Sequence, residues 1–96
     1  MIDLPNLFQF FGGYFHQDFA LDYTSDEDAV KDFRNEASPD EIAAVVREID
    51  ELLSMGYSEE VLRRIAHREL ACDYNPSPAG LTMYDWIRRV RDLLTA

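Results

Sequence analysis

Apolar residues recur at steps of three and four along most of this 96-residue chain, and that spacing constrains its fold more than any other feature. The clearest stripe follows one face of a helix and consists of Ile42, Val45, Val46, Ile49, Leu52 and Leu53. No run of alternating apolar and polar residues is longer than about five positions, so the sequence gives no sign of a sheet. The spacing predicts an all-α fold, which we expect to be a single domain over residues 1–96, built as an irregular bundle of about five short helices.

Local capping signals divide the apolar stripes into separate helices. The strongest start has Ser38 as the cap, Pro39 in the first turn and Glu41 completing a capping box. Three further starts combine a hydroxyl cap with acid in the first turn, at Ser25, Ser58 and Thr82. Gly56 predicts a helix end, and the prolines and glycine of residues 73–80 predict a loop.

The N-terminal segment is rich in aromatic residues at helical spacing. Asp3 is placed to cap this helix, and Pro5 suits its first turn. The predicted inward face consists of Leu4, Leu7, Phe8, Phe11, Tyr14 and Phe15. Residues 19–23 then alternate large apolar side chains with others, which predicts a short extended connector.

Residues 12–23 also gather two glycines, a histidine and two aspartates, which could signal a site. Gly12 and Gly13 lack the spacing and the Gly-Lys-Ser/Thr ending of a phosphate loop, and acid follows them. The set His16, Asp18 and Asp22 could hold magnesium, manganese or, in a mixed site, zinc, although no second histidine lies nearby. The competing interpretation is structural, with glycine admitting a neighbouring backbone or ring and the polar groups bonding one another.

Two arrangements could support catalysis. His16 and Asp18 are a candidate acid–base pair, but no nucleophile or oxyanion motif stands beside them. His67 and Cys72 are a candidate base and nucleophile, but a separation of five residues does not place them on one helical face. We therefore expect no enzymatic activity, no metal and no cofactor.

Charge is distributed unevenly. Residues 1–60 carry 15 acidic and 3 basic side chains and have a net charge of −12, whereas residues 61–96, with 4 acidic and 6 basic, have +2. The net charge of −10 opposes binding to nucleic acid or to an anionic membrane and favours a basic protein partner.

Acidic residues are densest at the start of the predicted helix that Ser25 caps. It is either a solvated helix face or a docking surface, and an exposed aromatic side chain (Tyr14, Phe19 or Tyr23) could add a binding hot spot beside it. The predicted partner-binding residues are Asp22, Tyr23, Asp26, Glu27, Asp28 and Asp32.

The remaining composition bears on the cellular compartment. Cys72 is the single cysteine, so no disulfide can form within the chain. The sequence contains neither a recognisable signal peptide nor an apolar stretch near the roughly 18 residues of a membrane span. These features lead us to expect a cytoplasmic protein.

Three stretches together resemble the small immunity proteins of bacterial contact-dependent growth inhibition systems. They are "LFQFFGGYFHQDFALDY", the acidic "TSDEDAVKDFRNEASPDEIAAVVREIDELL" and "GLTMYDWIRRVRDLL", which cover nearly the whole chain. The resemblance implies a cytosolic protein without catalytic activity that binds and blocks the C-terminal toxin domain of a secreted effector, often a nuclease. It also implies a monomer that pairs with one toxin domain.

Such a toxin would have a basic nucleic-acid cleft, which an acidic surface could cover, although binding at an exosite would also block it. Two other hypotheses stay open at this point. The acidic face could belong to an adaptor module unrelated to toxins, or His16, Asp18 and Asp22 could serve a small metal-dependent enzyme.

Overall fold

Residues 2–96 are described by a computed structural model and fold into six α-helices, with no strand among them. In chain order these are α1 (Pro5–Tyr14), α2 (Phe19–Asp22), α3 (Asp26–Glu36), α4 (Pro39–Ser54), α5 (Glu59–Arg68) and α6 (Met83–Thr95). A 3₁₀ turn at Ser77–Ala79 lies in the loop between α5 and α6. The all-α fold predicted from apolar spacing is confirmed.

Helix α6 joins the parts of the bundle, because it packs against α3, α4 and α5, while α1 packs against α3 and α4. Its Trp86 is fully buried. The indole stacks on Tyr74 with ring centroids 4.7 Å apart and on Phe11 at 5.8 Å, and it meets Phe15 edge-on at 5.0 Å. Aromatic pairs of this kind contribute about 0.5–1.5 kcal/mol beyond the burial of their surface. The N-terminal and C-terminal helices are thus joined through aromatic rings.

The four helix starts predicted at Ser25, Ser38, Ser58 and Thr82 are confirmed. The Ser38 hydroxyl accepts a hydrogen bond from the Glu41 backbone N–H at 3.1 Å, and the Glu41 carboxylate accepts one from the Ser38 N–H at 3.3 Å. The other predicted caps also accept a hydrogen bond from the backbone N–H three residues on, at Ser25, Ser58 and Thr82. Gly56 follows the end of α4 with φ of +75°, a conformation that glycine adopts without a steric penalty.

The start of α1 differs from the prediction. Asp3 does not cap this helix; the N-cap residue is Leu4, whose side chain offers no acceptor. Instead, the Glu48 carboxylate on α4 accepts hydrogen bonds from the backbone N–H groups of Asn6 and Leu7, both at 3.0 Å, and from the Asn6 side-chain amide. Glu48 is only 5% exposed. The first N–H groups of a helix need acceptors and favour negative charge, and here a distant glutamate supplies both.

The buried face of α1 is also rotated relative to the predicted one. Phe8 was predicted to face inward, but it is 49% exposed, whereas Phe10 is buried. The Phe10 ring lies 4.5 Å from the ring of Phe33. Because α1 packs against α3 as well as α4, its buried sector extends round to Phe10, and Phe8 is left on the outer side.

Residues 19–22 form a helical turn, so the prediction of an extended connector is wrong. The ring of Phe19 stacks on Phe15 at 5.4 Å and packs against Tyr23 at 5.9 Å. Phe19 and Tyr23 are four residues apart, which places them on one face of a helix. An alternating pattern over five residues was too short to distinguish this arrangement from a strand.

The two glycines of α1 have different surroundings. A methyl group added at Gly12 would lie 3.4 Å from the side chain of Ala71, and one added at Gly13 would meet no atom within 4 Å. The close approach predicted for the glycine pair is therefore limited to Gly12, and its neighbour is an alanine side chain rather than a backbone or a ring.

We expect Gly13→Ala to raise the free energy of unfolding by about 0.5 kcal/mol. Alanine restricts the unfolded chain and has the higher helix propensity, and the site has room for the methyl group. Urea denaturation followed by circular dichroism would measure the change. Gly56→Ala is the matched control, because φ of +75° is strained for alanine and stability should fall by about 1 kcal/mol. A loss of stability in Gly13→Ala would contradict the prediction.

Candidate acidic interaction surface

The structure places the six predicted partner-binding residues at the end of α2 and on α3, and all but Asp26 lie on the outer side. Asp22 is the last residue of α2, Tyr23 follows it, and the others lie on α3. Glu27 forms an ion pair with Lys31 at 3.9 Å, and Asp28 is exposed and accepts a hydrogen bond from the Thr24 hydroxyl. Glu27 and Asp28 are thus accessible carboxylates in the first turn of α3.

Tyr23 and Asp32 form a pair within this surface. The Tyr23 hydroxyl donates a hydrogen bond to the Asp32 carboxylate at 2.6 Å, and the tyrosine is half-buried. Burial raises the pKa of Tyr23 well above its usual value, and the hydrogen bond to Asp32 adds to the increase. The phenol therefore stays protonated at physiological pH and acts as a donor that fixes the position of Asp32.

Asp26 has a different environment from its neighbours. Its side chain is only 13% exposed, and its carboxylate accepts hydrogen bonds from the Trp86 indole N–H at 3.0 Å and from the Arg89 guanidinium at 3.3 Å. A buried indole N–H needs an acceptor. Asp26 therefore connects α3 to α6, and its charge is largely committed inside the molecule.

The exposed apolar side chain next to these acidic residues is aliphatic rather than aromatic. The aromatic candidates from the sequence, Tyr14, Phe19 and Tyr23, are all half-buried against the core. Leu21, in contrast, is 84% exposed and precedes Asp22 on α2. Nothing in the sequence singles out Leu21, because its outward direction follows from the helical turn that replaces the expected connector.

Tyr14 marks where the acidic surface continues toward α4. Its ring stacks on Tyr23 at 6.4 Å, and its hydroxyl donates to the Glu36 carboxylate at 3.3 Å. Burial raises the pKa of Tyr14, and the negative charges of Glu36, Asp32 and Glu41 raise it further. Tyr14 thus contacts Glu36 directly and lies in a negative field from carboxylates on both α3 and α4.

His16 supports the connector between α1 and α2. Its Nδ1 accepts a hydrogen bond from the Asp18 backbone N–H at 3.0 Å, and its Nε2 lies 3.2 Å from the Asp22 carboxylate. With Nδ1 as acceptor, the ring proton is on Nε2, the nitrogen that lies near the Asp22 carboxylate. Within residues 2–96 there is no group of three or more histidine, cysteine, aspartate or glutamate side chains placed to hold a metal ion.

Cys72 and His67 do not form a nucleophile and base. The His67 Nδ1 lies 2.7 Å from the backbone carbonyl of Cys72 rather than from the thiol. The thiol is fully buried, and burial raises the pKa of Cys72 to about 12. A buried thiol that stays protonated is a poor nucleophile.

Along the part of the chain that the structure describes, none of the helices combines the length and apolar character needed to cross a bilayer.

Comparisons with known proteins give one family match and a structural match that shows the fold. The sequence model of the CdiI immunity protein family matches residues 3–94. Among solved structures, a chain in the crystal structure of a CdiA-CT/CdiI complex from Y. kristensenii 33638 superimposes with a TM-score of 0.88 at 21% identity. The match covers 95% of this chain and 97% of that one, and at this identity it establishes the shared fold. No match was found among curated proteins. Since the family match spans nearly the whole sequence, this chain belongs to the CdiI immunity protein family.

Proposed function

We propose that this protein is a non-catalytic, cytoplasmic inhibitor that binds the C-terminal toxin domain of a cognate contact-dependent growth inhibition effector and neutralises it in a one-to-one complex. The observation that carries the proposal is membership of the immunity family over residues 3–94. The related fold in a crystal structure described as a CdiA-CT/CdiI complex supports the same kind of partner.

We further propose that the toxin is a nuclease and that the acidic surface covers its basic cleft. The proposed contact residues are Asp22, Tyr23, Glu27, Asp28 and Asp32, supported by Asp26 from inside. Carboxylates would occupy the positions of substrate phosphates, and a net charge of −12 over residues 1–60 would accelerate the encounter. Leu21 would supply an apolar contact at the edge of this charge.

Co-expression tests the function itself. The C-terminal domain of the effector encoded beside this chain should arrest bacterial growth, and growth should recover when this protein is produced with it. The two purified proteins should elute as a one-to-one complex. Absence of both rescue and complex formation would refute the proposal, and would leave an adaptor role as the alternative for the acidic face.

Charge reversal tests the contribution of the acidic surface. We expect Glu27→Lys with Asp28→Lys to slow association with the toxin domain by about tenfold at low salt and to flatten its salt dependence. Both side chains are accessible, and neither supports the core as Asp26 does. Stopped-flow or surface plasmon resonance at several salt concentrations would measure the rate.

The matched control is Glu51→Lys with Glu60→Lys, which changes the net charge equally at exposed positions on α4 and α5. This control should retain more of the association rate than the α3 variant. Equal rates in the two variants would show that total charge, and not this surface, directs the encounter.

A further inference from the structure

A groove between α1, α3 and α4 lies at the far end of α3 from Glu27 and Asp28. Its volume is about 270 Å³, and aromatic and acidic side chains share its lining. The chief lining residues are Gln9, Phe10, Tyr14, Phe33, Glu36 and Glu41. Sites for drug-sized ligands usually span about 300–1,000 Å³, so this groove matches a single inserted side chain better than a separate small molecule.

The acids of this groove have no basic partner within the described part of the chain. Glu36 and Glu41 are both exposed, and in residues 2–96 neither forms an ion pair, whereas the less exposed Asp26 and Glu59 each pair with an arginine. The single arginine of α3, Arg34, donates to backbone carbonyls at the C-terminal end of α6.

The remaining contacts of these acids leave acceptor capacity free. Glu36 accepts one hydrogen bond from Tyr14, and Glu41 accepts one from the Ser38 backbone N–H. A carboxylate has about four acceptor positions, so both can accept further donors. Within the described residues, the groove therefore offers two exposed carboxylates beside the half-buried ring of Tyr14, with Phe10 and Phe33 buried beneath and no cation paired to either acid.

We infer that this groove receives an arginine side chain of the toxin domain, an inference that rests on the proposed function. A guanidinium is flat, stacks on aromatic rings and donates several N–H groups in a fixed fork to carboxylates. Lysine would match the charge but neither the stacking nor the forked donation. The groove is therefore an anchoring position, distinct from the surface at the start of α3 that steers the encounter.

Neutralising the groove tests the inference. The probe is the C-terminal toxin domain of the effector encoded beside this chain. Glu36→Gln with Glu41→Gln keeps the side-chain size, and glutamine can maintain the capping box at Ser38. We expect the Kd to rise about 100-fold, chiefly through faster dissociation, with only a small fall in melting temperature from the charge lost in the first turn of α4. Gln9→Arg supplies a guanidinium from α1 itself and should weaken binding similarly by occupying the groove.

The control is Glu51→Gln with Glu60→Gln, which removes the same charge elsewhere and should change the Kd less than threefold. Replacing each toxin arginine by lysine should identify one whose loss weakens binding to the wild type but not to the groove variant. Groove variants that bind as the wild type does, or a control that weakens binding equally, would overturn the inference while the proposed function stands. A wild-type protein that does not bind the toxin domain would overturn both.

Discussion

Replacing Trp86 with alanine is expected to lower the free energy of unfolding by about 4 kcal/mol. The indole is fully buried, and it contacts aromatic rings from α1 and from the loop before α6. Its removal leaves a cavity where three parts of the chain meet, and neighbouring rings cannot close that cavity without losing their own contacts. Urea denaturation followed by far-UV circular dichroism would measure the loss, since Trp86 is also the single tryptophan fluorophore.

A double-mutant cycle separates packing from the hydrogen bond to Asp26. Asp26→Ala should cost about 2 kcal/mol, because the buried indole N–H then lacks its acceptor. The same change should cost less in a Trp86→Phe background, where no N–H is left unpaired. Asp40→Ala is the control, since Asp40 is an exposed acid in the first turn of α4, and it should cost less than 1 kcal/mol.

A loss of unfolding free energy below 2 kcal/mol in Trp86→Ala would contradict the first prediction, because it would show that the core can repack around the missing indole.

Replacing Glu48 with alanine should lower the free energy of unfolding by about 3 kcal/mol. The change leaves the first backbone N–H groups of α1 without an acceptor in a buried setting. A hydrogen bond to a charged group contributes roughly 1.5–3 kcal/mol, and an unsatisfied buried donor is costly. Glu48→Gln should cost about half as much, because the amide oxygen can still accept but carries no charge for the positive end of the helix.

Glu51→Ala is the matched control for Glu48, because Glu51 is an exposed glutamate on the same helix. Its effect should stay within about 0.5 kcal/mol. Thermal and urea denaturation of the three variants would provide the comparison. Equal stabilities of Glu48→Ala and Glu51→Ala would mean that α1 does not depend on a cap from α4.

The acidic surface could be predicted from the sequence, but which of its carboxylates are exposed and which are bonded inside the molecule could not. Charge counting selected the stretch from Asp22 to Asp32, and these residues do lie together. Composition could not reveal that Asp26 is directed inward to Trp86, 60 residues later. The groove could not be predicted from the sequence either, because Glu36 and Glu41 lie on different helices and line one groove only when α3 and α4 both pack against α1.

The sequence by itself determined the features whose interacting residues are three or four positions apart. The caps at Ser25, Ser38, Ser58 and Thr82 were predictable because a hydroxyl and the N–H it accepts from are three positions apart. The apolar stripes likewise determined the all-α class, since the period of a helix is written into the chain.

Only the tertiary structure decided the features in which residues distant along the chain meet. Asp3 was the best local candidate to cap α1, yet Glu48 takes that role from more than 40 positions away, where burial makes its carboxylate a stronger partner. The exposure of Phe8 and the burial of Phe10 depend on α1 packing against two helices at once. Spacing along a helix shows that a face is apolar, but the partners that pack around it determine how far the buried sector extends.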